Sequence, residues 1–131
     1  MQRSDTQTIS IDAPRDVVLG LVGDPPALPS WAPAFARAIR PDGEQWIVDT
    51  GEGDLRIRVR VSREHGTVDF LVAGLPDGVE LGAFSRVVPN GRGCEFSFTQ
   101  FLAADATDAE LERRRAVVAG ELEAVRRICT A

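Results

Sequence analysis

The most regular stretch of the sequence is residues 55–62, which read LRIRVRVS. Aliphatic side chains occupy every second position and alternate with Arg56, Arg58 and Arg60. Successive side chains of a β-strand point to opposite faces, so this period of two predicts a strand with one dry and one wet face. The aliphatic residues fill the dry face, and we therefore assign the arginine row to the solvated face.

Similar strand patterns lie on both sides of this stretch and are separated by short turn sequences rich in Gly, Pro, Asp and Asn. They predict strands at residues 6–12, 35–40, 45–50, 67–72, 79–88 and 94–101. Short turns between consecutive strands imply hairpins, so we predict an antiparallel meander.

Helical signals follow the first strand and return near the end of the sequence. Pro14 suits the first position of a helix, and residues 27–31 predict a second short helix before Pro33. The apolar side of the first helix is predicted to contain Val17, Val18, Leu21 and Val22.

The last predicted helix runs from 108 to about 128 and begins with a capping box, in which Thr107 is the N-cap and Glu110 is N3. The residues that we expect to be buried share one face of this helix: Leu111, Val118, Leu122 and Val125. We expect Arg113 and Arg127 to be exposed.

This element order predicts an α+β fold. A curved antiparallel sheet of six to seven strands wraps around the long C-terminal helix, and two short helices follow the first strand. Only the long helix is large enough to cover the apolar face of the sheet. One helix cannot fill a wide concave face, so we expect an internal cavity. The length of 131 residues suits a single domain spanning 1–131.

The residue inventory excludes several chemistries. All 15 basic residues are arginine, so Schiff-base lysine and P-loop chemistry are absent, and there is no tyrosine. One histidine (His65) and two widely separated cysteines (Cys94, Cys129) cannot build a zinc site. We therefore expect no metal and no other cofactor. The net charge of −5 argues against nucleic-acid binding.

The location and source are also expectations from composition. No apolar stretch reaches the roughly 20 residues of a membrane span. Residues 1–10 are polar and do not resemble a secretory signal, so we expect a cytoplasmic protein with free thiols. The lysine-free composition, rich in Ala, Arg and Gly, favours a bacterial source.

The ordered motifs resemble those of the START/polyketide-cyclase superfamily, also called SRPBCC, which has the helix-grip fold. The matching segments are ISIDAPRDVV at 9–18, Asp24-Pro25, LPSWAP at 28–33, and the turn PNGRG at 89–93 before CEF at 94–96. The resemblance implies a deep hydrophobic cavity between sheet and helix. Members of the superfamily bind lipids, sterols, polyketides, quinones or plant metabolites there, and some catalyse cyclisation and dehydration.

The candidate cavity residues come from the predicted dry faces and the segment before the second strand. In 79–88 we favour the set Val79, Leu81, Ala83, Ser85 and Val87 as inward, which makes Ser85 a hydrogen-bonding group for a ligand. Trp31 and Trp46 suit either ligand stacking or plain packing. The predicted cavity residues are Trp31, Phe35, Trp46, Val48, Ile57, Val59, Phe70, Leu81, Ala83, Ser85, Phe96, Phe98, Val118 and Leu122.

Two functions fit this cavity. The first is a carrier or sensor, monomer or homodimer, that binds a hydrophobic small molecule such as a lipid or polyketide. The alternative is a polyketide cyclase/aromatase-type enzyme that uses acid/base chemistry. Since His65 lies in a predicted turn, the candidate catalytic groups are the charged residues that interrupt or flank apolar strands: Asp49, Asp69, Glu80 and Arg86. Their presence inside the pocket, within hydrogen-bonding distance of each other, would favour the enzyme.

Overall fold

The computed structural model describes all residues, 1–131. The strands are β1 (Arg3–Ile11), β2 (Ala38–Asp42), β3 (Gln45–Asp49), β4 (Asp54–Ser62), β5 (Thr67–Val72), β6 (Gly82–Asn90) and β7 (Gly93–Leu102). The helices are α1 (Arg15–Val22), a 3-10 turn (Pro25–Ala27), α2 (Leu28–Trp31) and α3 (Asp108–Cys129). None of these helices is long and apolar enough to cross a membrane.

The seven strands form one curved antiparallel sheet in the order β1-β7-β6-β5-β4-β3-β2. Strands β2 to β7 form the predicted meander, and β1 pairs with β7, with Ile9 opposite Phe96. The core lies between the concave face of this sheet and the helices, and its largest fully buried side chains include Trp31 and Phe96. The predicted α+β helix-grip architecture is confirmed.

Helix α3 begins as the sequence predicts. The Thr107 hydroxyl accepts a hydrogen bond from the Glu110 backbone N–H at 3.1 Å, and the Glu110 carboxylate accepts one from the Thr107 N–H at 3.2 Å. Val118, Leu122 and Val125 are buried, as predicted. Leu111 was expected to be buried but is only half-buried, because it lies in the first turn beside exposed residues. Arg113 and Arg127 are exposed, which confirms their predicted positions.

Two predicted strands begin later than their sequence patterns suggest. The strand predicted at 79–88 begins at Gly82, because the preceding turn extends to Val79, whose N–H bonds to the Pro76 carbonyl at 3.0 Å. The strand predicted at 35–40 begins at Ala38, because the N–H groups of Phe35 and Ala36 bond back to the Ala32 carbonyl.

Gly82 marks a close approach of two strands at the start of β6. A Cβ atom at this position would meet the Phe70 carbonyl oxygen at 1.7 Å. No side chain fits in that space, so a substitution would push β6 away from β5.

The buried face of α1 differs from the prediction by one residue position. Val18, Leu19 and Val22 are buried, whereas Val17 is 48% exposed. The buried set packs against β5, β6 and α3. This contact rotates the helix so that Leu19 replaces Val17 in the core.

Candidate functional site

An apolar pocket of about 400 Å³ lies between the concave face of the sheet, α2 and residues 114–121 of α3. The sheet contributes apolar side chains from β4 to β7, and the helices contribute Leu28, Trp31, Val117 and Val118. Trp31 packs against Phe70 with ring centroids 6.0 Å apart. A second pocket, of about 520 Å³, lies at the loop of residues 74–80, but its lining is mainly polar. The first pocket is therefore the candidate site for a hydrophobic ligand.

Many of the predicted cavity residues line this pocket. They are Trp31, Phe35, Ile57, Phe70, Leu81, Ala83, Phe98 and Val118. Leu81 precedes β6, but its carbonyl accepts the Val72 N–H at 2.8 Å, which holds it beside the pocket. That these side chains contact a ligand stays a prediction.

The other predicted cavity residues lie outside the pocket wall. Val48, Phe96 and Leu122 are buried in the solid core, and Trp46 and Val59 pack against that core while half-buried. The predicted inward face is confirmed within β6, since Ser85 and Val87 are buried, but Val79 of the same predicted set is 46% exposed because it lies in the turn before the strand. However, the Ser85 hydroxyl donates to the Val68 carbonyl at 2.7 Å and does not line the pocket.

None of the candidate catalytic groups lines the pocket. Asp69 and Glu80 both accept hydrogen bonds from Arg60, with ion-pair distances of 2.9 and 2.7 Å. Asp49 accepts the Gly51 backbone N–H at 2.9 Å. Arg86 is exposed on β6.

Ion pairing with Arg60 on the wet face of β4 accounts for Asp69 and Glu80 without a ligand. The condition that would favour the enzyme through the four predicted groups is therefore not met. His65, the one imidazole, is exposed in its turn.

Glu121, which is not among the predicted site residues, is the acidic residue of the pocket wall. This side chain is only 9% exposed and has no hydrogen-bond partner. Burial raises the pKa of Glu121 to about 7, although the positive charge of Arg114 acts in the opposite direction. A sequence signal existed, because Glu121 lies three residues after Val118 and four before Val125, on the apolar face of α3.

A satisfied polar network lies next to Glu121. The Gln100 amide donates to Asp5 at 3.3 Å and accepts from Arg114 Nε at 3.4 Å, and Arg115 Nε donates to Asp5 at 3.0 Å. Burial alone would raise the pKa of Asp5, but hydrogen bonds from three side chains outweigh it and lower the pKa below its ordinary value. The network pairs its own members and leaves Glu121 without a partner.

The chain offers few other groups for metal binding or nucleophilic catalysis. No group of three or more His, Cys, Asp or Glu side chains is arranged to hold a metal ion. Cys94 and Cys129 are free, and burial raises the pKa of both thiols. A buried, protonated thiol is a poor nucleophile. The pocket therefore combines an apolar wall with one desolvated carboxyl group.

Comparison with known proteins supports the fold. No protein-family model matches the sequence, and no curated protein matches it. A START superfamily protein from Mycobacterium smegmatis has a TM-score of 0.74 at 12% identity, over 99% of this chain and 98% of that one. The aromatase/cyclase Zhui from a Streptomyces species has a TM-score of 0.74 at 15% identity, over 99% and 94%.

A third solved structure agrees with these two. An uncharacterised protein from Bacillus thuringiensis has a TM-score of 0.75 at 14% identity, covering 98% of this chain and 100% of that one. The chain therefore has a START/polyketide cyclase-like fold, as the resemblance of its motifs implied.

Proposed function

We propose that residues 1–131 form a single domain that binds a hydrophobic small molecule in the pocket, as a carrier or sensor. The observation that carries this proposal is the apolar pocket of about 400 Å³, in which 15 of the 20 lining residues are hydrophobic. Pockets for small ligands span roughly 300–1,000 Å³ and combine apolar walls with a few polar groups. The START-like and cyclase-like folds of the structural neighbours support the same function.

The ligand is expected to be mainly hydrocarbon. Apolar surface removed from water contributes about 25 cal/mol per Å², and the wall offers aromatic and aliphatic partners such as Phe70, Phe98 and Val118. Gln100 and Arg114 also border the pocket, but they bond to each other. Most of the binding free energy therefore comes from apolar contact.

The proposal is tested by filling the pocket. Native mass spectrometry of the purified protein would show a metabolite that remains bound. Titration with naphthalene would measure the affinity of the pocket for an added apolar probe. Ala83→Phe places a ring in the pocket and should abolish naphthalene binding. Val88→Phe adds a ring on the exposed face of the same strand and should leave binding unchanged. Equal binding by the two variants, or no binding by the unmodified protein, contradicts the proposal.

A second candidate function is a polyketide cyclase-type enzyme, and Glu121 is the observation that favours it. A desolvated carboxylate with a pKa of about 7 can remove a proton next to a carbonyl group. We expect such an enzyme to exchange the methyl protons of 2-acetylnaphthalene with deuterated water. Mass spectrometry measures the exchange, which Glu121→Gln should abolish. No exchange above the rate without protein leaves only the carrier or sensor.

A further inference from the structure

Glu121 is the one buried charged residue of the pocket wall, and its carboxyl group has no hydrogen-bond partner. It lines the pocket and is 9% exposed, and its carboxyl group makes no hydrogen bond. The pocket wall has another unpaired polar atom, the Trp31 indole nitrogen, but that atom is fully buried. A buried polar group without a hydrogen-bond partner destabilises the folded state. Packing within the protein does not offset this cost for Glu121.

The surrounding elements supply no partner for this carboxyl group. Arg114, two turns earlier on α3, affects Glu121 only through its charge and hydrogen-bonds to Gln100 instead. Helix α2 contains no titratable residue, and the buried face of α1 is Val18, Leu19 and Val22.

The third element packed against α3 is β1. Its buried carboxyl group belongs to Asp5, which is paired with Arg115. The hydrogen-bonding capacity of Glu121 is therefore left for the contents of the pocket.

We propose that Glu121 accepts a hydrogen bond from a hydroxyl group at one end of an otherwise apolar ligand. This inference rests on the proposed function, because it names the polar anchor of the same pocket. An ionised carboxylate only accepts hydrogen bonds, so its partner must be a donor, and a carbonyl or ether oxygen cannot serve. The nearby charge of Arg114 disfavours a cationic donor such as an ammonium group. A hydroxyl group satisfies both conditions.

The protonation state of Glu121 gives this anchor a characteristic pH dependence. Burial raises the pKa of Glu121 to about 7, and the positive charge of Arg114 opposes this rise. Above that pH the carboxylate discriminates against a methyl ether, which has no proton to donate. Below it the carboxylic acid donates a hydrogen bond itself, so it also accommodates an ether oxygen. The preference for hydroxyl over ether should therefore increase as the pH rises through about 7.

The test compares three probes of similar shape: 2-naphthol, 2-methoxynaphthalene and naphthalene. Each is titrated at about pH 5.5 and about pH 8 against the unmodified protein, Glu121→Gln and Glu121→Leu. At pH 8 we expect the unmodified protein to prefer 2-naphthol over 2-methoxynaphthalene on the order of ten-fold, since hydrogen bonds to charged groups are the stronger ones. At pH 5.5 the preference should shrink.

The two variants separate charge from shape. Glu121→Leu should lose the preference for 2-naphthol and keep its affinity for naphthalene. Glu121→Gln, which is nearly isosteric and remains polar, should show a small preference that does not depend on pH. Glu123→Leu replaces an exposed carboxylate two residues along the same helix and should retain the full preference. Thermal unfolding of each variant confirms that it is folded.

The outcomes separate the inference from the proposed function. Equal affinity for the three probes in the unmodified protein overturns the hydroxyl anchor and leaves the hydrophobic pocket in place. A preference that survives in Glu121→Leu overturns the anchor as well. If none of the three probes binds the unmodified protein, both the anchor and the proposed function are overturned.

Discussion

Two segments of α3 cover different kinds of interior. Towards its C-terminal end, Leu122 and Val125 are 2% and 0% exposed and lie in the packed core. In the middle of the helix, Val118 and Glu121 border a pocket of about 400 Å³. The same helix on the same sheet thus closes one end of the molecule and leaves the other end hollow.

The difference follows from the two short helices that share the concave face. Helix α1 has eight residues, and it buries Val18, Leu19 and Val22 against the sheet and α3. Helix α2 has only four residues, because Pro33 follows closely and cannot donate a backbone hydrogen bond. A helix of one turn carries too few side chains to fill its end of the sheet. The shortness of α2 therefore accounts for the hollow end of the concave face.

The largest effect expected from this contrast is in the free energy of unfolding. Leu122→Ala should cost about 2–5 kcal/mol, because it opens a cavity in a packed core. Val118→Ala should cost only about 1 kcal/mol, because its methyl groups already border empty space and make fewer contacts. Urea unfolding measures both, together with Val125→Ala, which removes the same two methyl groups as Val118→Ala from a position that is 0% exposed. Equal costs of the two valine variants would show that the two ends of the core are packed alike.

The next effect concerns the charge enclosed in the hollow end. The pKa of Glu121 is raised from 4.5 to about 7, so the folded state binds more protons than the unfolded state between these values. The contribution of Glu121 to stability is therefore fully present below about pH 4.5 and is lost as the pH rises through about 7. The full loss is roughly 3 kcal/mol. Glu121→Gln, which stays neutral, should be the more stable protein at about pH 8 and nearly equal at about pH 4.5.

A matched variant isolates this effect from the titration of other groups. Glu123→Gln removes an exposed carboxylate that pairs with Arg126 on the solvent side of α3. Exposed ion pairs contribute under about 1 kcal/mol, so the stability of this variant should follow that of the unmodified protein at each pH. If Glu121→Gln behaves in the same way, the carboxyl group of Glu121 is well hydrated.

The sequence predicts the fold well because its signals are local. The period of two in 55–62 and the capping box at Thr107 each specify an element that the structure contains. The strand starts at 35 and 79 were wrong, because backbone hydrogen bonds to Ala32 and Pro76 extend the preceding turns. The strand propensity of individual residues does not predict hydrogen bonds of this kind.

The site is harder to predict from the sequence than the fold. Alternation correctly gives the inward face of β6, with Ala83 and Ser85 on the same side. It cannot tell that Ala83 meets empty space while Ser85 lies in the packed core, since that depends on which helix lies opposite. Periodicity does not single out Glu121, because the apolar stripe of Val118, Leu122 and Val125 remains clear with one charged residue on it.

The smallest stability effect is expected at the rim of the hollow end. Val117 is 38% exposed and lines the pocket from α3. Val117→Ala should cost under about 1 kcal/mol of stability, because the side chain is already partly in solvent, but should weaken naphthalene binding several-fold. Val88→Ala truncates the same side chain at a position that is 39% exposed and outside the pocket, and it should change neither binding nor stability by much. Unfolding and probe titration of the two variants make the comparison. If Val117→Ala binds naphthalene as tightly as Val88→Ala does, the ligand lies deeper in the pocket and the rim makes no contact with it.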